Sequence, residues 1–88
     1  MQNEHSPGSV TLALAAIGWI LQEDDRAQRY LAVTGLDADM LRTGLDNPVV
    51  LASALEFLAN YEPDLVRAAE ALGITPEKLI AAQQELNA

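Results

Sequence analysis

Glu23-Asp24-Asp25 is the densest run of ionisable side chains in the sequence. Carboxylates this close could share a divalent cation, or split into a general acid and a general base. Their spacing supports neither. A calcium loop sets oxygens at alternating positions around a sharp glycine turn, and no such loop follows; three acids at the opening of a helix match the positive end of its dipole instead. His5 is the only imidazole, in a polar N-terminal stretch with no second ligand, and Lys78 is the only lysine, on an amphipathic segment. No serine or threonine therefore has a plausible base, and the absence of cysteine removes thiolate chemistry and cysteine-ligated zinc. There is no phosphate-binding glycine loop, no H-E-x-x-H and no nucleophile elbow. We expect no catalytic, cofactor-binding or metal-binding residue, and no enzyme.

The corner Ala71-Leu-Gly-Ile-Thr-Pro-Glu-Lys-Leu79 is similar to the turn of helix-turn-helix DNA readers, where glycine lets a second helix leave steeply. A recognition helix needs cations and amides facing the groove, and this one carries Glu77, Lys78, Gln83, Gln84 and Glu85. Thirteen acidic against five basic side chains give a net charge of -8, which repels phosphate backbones and anionic lipid. Neither nucleic acid nor membrane is an expected partner. Val10 to Leu21 is apolar but too short to span a bilayer, no basic leader precedes it, and the expected location is the cytoplasm.

The elements that carry these residues are read from helical punctuation. Residues 1–8 hold Pro7 and Gly8 with no apolar period and read as a disordered arm, leaving 9–88 as one helical domain. The expected helices run from about Val10 to Gln22, Asp25 to Thr34 ahead of Gly35, Ala38 to Leu45 behind the cap Asp37, and Pro48 to Asn60 behind the cap Asn47. A fifth opens at Glu62-Pro63 and ends at Gly73, and a sixth runs from Pro76 to Leu86 behind the cap Thr75. The fold class is all-α, a compact bundle of about six short helices. Helices one and four are apolar almost all round and should be central, wrapped by the amphipathic two, three, five and six.

A shift of 38 positions brings Leu12 onto Val50, Trp19 onto Phe57, Asp24 onto Glu62, Gly35 onto Gly73 and Asp37 onto Thr75. The expectation is a tandem pair of three-helix units, about 10–46 and 48–87, related by a pseudo-twofold axis. Trp19 and Phe57 then occupy related positions, either in the core or lining an apolar pocket. Tyr61, beside the Glu62-Pro63 corner, is the aromatic expected to be exposed.

The segments Tyr30-Leu-Ala-Val-Thr-Gly-Leu-Asp37, Leu41-Arg42, Leu51-Ala-Ser-Ala-Leu-Glu-Phe-Leu58, Glu62-Pro63 and Gly73-Ile-Thr-Pro-Glu77 carry a resemblance. Together they are similar to a family of short, all-helical bacterial proteins, mostly alphaproteobacterial, known as a domain of unknown function. The resemblance covers about Val10 to Leu86 and implies no activity, substrate or site residue. The leading expectation is a non-enzymatic protein-interaction or accessory module, with itself as a homodimer or with another protein. The alternatives are a small-molecule carrier or sensor with an apolar pocket, and a helix-turn-helix-like DNA-binding regulator.

Overall fold

In a computed structural model, residues 8–88 are described; residues 1–7 of the expected arm, His5 among them, lie outside the described residues, and Gly8 is the N-cap of the first helix. Six helices follow: α1 (Ser9–Leu21), α2 (Asp24–Thr34), α3 (Ala38–Thr43), α4 (Pro48–Ala59), α5 (Glu62–Leu72) and α6 (Pro76–Asn87). No strand occurs among the described residues. The caps act where their side chains predicted. Asp37 accepts from the Met40 N–H at 2.8 Å, Asn47 from Val49 N–H at 2.9 Å and Thr75 from Lys78 N–H at 3.3 Å, each satisfying a donor that the first helical turn leaves open.

Two glycines end helices by turning left-handed, Gly35 at φ 76° and Gly73 at φ 72°. At the second, the Ile74 N–H donates back to the Ala69 carbonyl at 2.9 Å, closing the helix end before the chain reverses. Gly44 serves differently. Its φ is -99°, but a Cβ there would come within 2.8 Å of Val50 Cγ2 and 3.0 Å of the Met40 carbonyl oxygen. Gly44→Ala is accordingly expected to cost about 1–3 kcal/mol through overpacking. Gly18→Ala, in the open on α1, should stabilise by about 0.5–1 kcal/mol. Urea melts of the two variants check the pair, and equal shifts would contradict the close approach.

The core is built from Leu12, Ala13, Ala16, Ile17 and Ile20 of α1, Leu51, Ala54, Leu55, Phe57 and Leu58 of α4, and fewer residues from each other helix. The expected centre needs correction. α6 is not a wrapping helix: it packs more extensively on α4 than any other helix does, and nearly as extensively on α1 as α4 does. Its Leu79 and Ala82 are buried, with Ile80 and Leu86 packed against the same cluster. α3, with six residues, buries only Leu41. The pairs α1·α2 and α4·α5 are matched in extent, as are α1·α5 and α2·α4, but α3 and α6 occupy unlike places. The reason is length: six residues make under two turns and cannot cover two neighbours, whereas twelve make over three.

Candidate functional site

α1 is not buried on most sides. Val10, Leu14, Ile17 and Leu21 lie at i, i+4, i+7 and i+11, on one stripe about 16 Å long. Val10 is 49 % exposed, Leu14 41 % and Leu21 42 %, whereas Ile17 between the last two is buried in the core. At its C-terminal end the stripe enters an open groove of about 330 Å³ between α1, α2, α3 and the segment leading to α4. Ile17, Leu21, Leu31, Leu41 and Leu45 line it, together with Arg42.

Local sequence builds this groove. Gly35 stops α2 and turns the chain, Asp37 caps α3 two residues later, and α3 is too short to close over Leu21 and Leu31. Leu45 follows Gly44 and precedes Asp46-Asn47-Pro48, so it sits in a turn and stays 37 % exposed. Arg42 is held on its own helix by Asp39 at 2.9 Å. α3, anchored mainly by one cap and one buried leucine, is the wall with the least holding it in place.

The acidic run opens α2, with Asp24 and Asp25 in its first turn, as the helix-dipole reading expects. Among the described residues no group of three or more His, Cys, Asp or Glu is placed to hold a metal. Phe57 is buried, but Trp19 is only partly so, and the two do not share an environment. Trp19 lies under Arg26, whose guanidinium carbon is 3.6 Å from the ring centroid. Arg26 is 8 % exposed. It donates to the Trp19 carbonyl at the end of α1 and lies 3.6 Å from Glu23, so the buried cation closes a helix end and covers an indole. Buried residues of α1 and α4 belong to a single core cluster.

Tyr61 is 49 % exposed, as expected, and the Arg29 guanidinium lies 5.6 Å from its ring. Arg29 also binds the buried Asp64 carboxylate at 3.0 Å, tying α2 to α5. At the α5–α6 corner, the inward side of α6 is used up in the core, and its exposed positions include Glu77, Lys78, Gln84 and Glu85. No helix among the described residues is long and apolar enough to cross a membrane.

Residues 8–88 match the family described as Protein of unknown function (DUF3572). The chain belongs to that family. No curated protein and no solved structure matches it. In the sequence the groove residues are not distinguishable from core residues. The signal that could have separated them is α1 itself, which is apolar on more faces than a six-residue α3 can cover.

Proposed function

We propose that the protein is a non-enzymatic, cytoplasmic protein-interaction module whose docking face is the α1–α2–α3 groove and the α1 stripe leading into it. The observation carrying this reading is the exposure of Leu21 and Leu45 around an apolar groove, in a chain whose Leu51, Leu55, Leu58 and Leu79 are almost completely buried. Contiguous apolar surface left in water beside a closed core is a feature of association sites. The matched α1–α2 and α4–α5 packing and the two left-handed glycine corners support a duplicated three-helix unit. In that history the last helix of the second copy became part of the core, and the short one of the first left the groove open.

The test is site-specific photo-crosslinking in cells that make the protein, with the reactive residue at position 45 and, as a control, at the exposed position 70 on α5. Discrete adducts from 45 alone, reduced by Leu21→Glu in the same chain, are expected. Adducts of twice the chain mass would identify self-association, and others a distinct partner. A pattern no different from that at position 70 would remove the reading.

A further inference from the structure

We infer that the occupant of the groove is a cationic amphipathic helix of a partner protein; this rests on the reading of the groove as a docking face. The lining is almost entirely aliphatic, which suits leucine-like anchors at i, i+3 or i+4 and i+7 from an incoming helix. The partner's charge follows from the residues around that lining. Glu23, Asp24 and Asp25 come directly after Leu21 and Gln22, Asp37 and Asp39 flank Ala38, and Asp46 follows Leu45. Neighbouring Cα atoms are about 3.8 Å apart, so the backbone positions that carry these carboxylates border the lining residues Leu21, Ala38 and Leu45, and all six residues are exposed.

The one cation in the lining does not offset them. Arg42 is already paired with Asp39, and Glu23 is engaged by the buried Arg26. Among the described residues Asp24, Asp25 and Asp46 form no ion pair. A second copy of this chain would bring the same rim and a net charge of -8 against itself, a like-charge juxtaposition that opposes docking. A helix with lysines or arginines flanking an apolar stripe would place apolar anchors in the groove and cations on the rim.

Three synthetic helices of about four turns provide the probes: a leucine/lysine amphipathic peptide, its leucine/glutamate counterpart, and a scrambled leucine/lysine peptide with no continuous apolar face. Binding is followed by amide shifts in ¹⁵N-labelled protein. The amphipathic cationic peptide is expected to bind at least about tenfold more tightly than either other, shifting Leu21, Leu31, Leu41 and Leu45. Raising ionic strength from about 0.05 to 0.2 M should weaken it several-fold. Asp24→Asn/Asp25→Asn/Asp46→Asn, checked for helicity, should weaken it and flatten the salt dependence.

Equal binding of the glutamate peptide at the groove would overturn the charge inference while leaving the docking face standing. Equal binding of the scrambled peptide would reduce the effect to diffuse attraction and overturn the inference. Binding by none of the three also overturns it, and only with failed crosslinking at position 45 does the docking reading fall too. A sedimenting dimer dissociated by Leu21→Glu would assign the groove to a second copy instead.

Discussion

Leu55→Ala is expected to destabilise the fold by about 2–5 kcal/mol, and Ile17→Ala to fall in the same range. Leu55 is 1 % exposed and Ile17 4 %; they belong to the one cluster in which α1 and α4 meet. Truncation removes buried methyl groups and leaves a cavity in a cluster that includes Ala13, Ala16 and Ala54, side chains too short to refill it. In a domain of 88 residues such a loss is a large part of the total stability, which is on the order of 4–13 kcal/mol at this length. Urea unfolding followed by circular dichroism measures it. Near-neutral midpoints for both variants would contradict the α1–α4 core.

Tyr30→Ala is expected to cost about 3–5 kcal/mol, and Tyr30→Phe only about 0.5–1.5 kcal/mol. Tyr30 is completely buried and meets Phe57 edge to face with centroids 5.4 Å apart. Its hydroxyl lies 2.9 Å from Ser53 Oγ, and Ser53 donates to the Val50 carbonyl at 2.6 Å. The serine proton is thereby committed, so the tyrosine is the donor between them. Phenylalanine keeps the ring packing and leaves Ser53 its bond to Val50; alanine removes the ring packing as well as the hydroxyl. If the two substitutions cost the same, the ring is not the major contributor.

The same residue gives a pH dependence. Burial pushes the Tyr30 phenol above its ordinary value of 10.0, and the Ser53 hydroxyl, which can turn to donate to the phenolate, acts the other way. Above pH 10 the unfolded chain therefore loses this proton before the folded chain does, and stability falls as pH rises. Below that pH the phenol is neutral in both states and contributes no slope. Tyr30→Phe should remove this part of the alkaline loss, seen as a wild-type minus variant difference that changes only above about pH 10. A constant difference through that range would mean Tyr30 ionises as freely in the fold as outside it.

Most helix boundaries were legible because they depend on residues close in sequence. Asp37, Asn47 and Thr75 satisfy donors within three positions, and Gly35 and Gly73 adopt a backbone conformation that side chains resist. α3 ends two residues before the expected Leu45, at Thr43, with Gly44 as its C-cap; the close approach of Gly44 to Val50 is a contact not written in local propensity. Arg26 was equally hidden: nothing in its neighbours marks a guanidinium that will be buried on Trp19.

The sequence by itself determined an all-helical chain, its punctuation, its acidic surface and its family, since caps, breakers, periodicity and charge are local or additive properties. Only the tertiary structure decided which apolar faces are covered. An apolar stripe on α1 looks the same in the sequence whether it meets α4, meets α6 or faces water. That outcome depends on how far each later helix reaches: α6 spans the seam between α1 and α4, while α3 stops short and leaves Leu21 and Leu45 exposed around the groove.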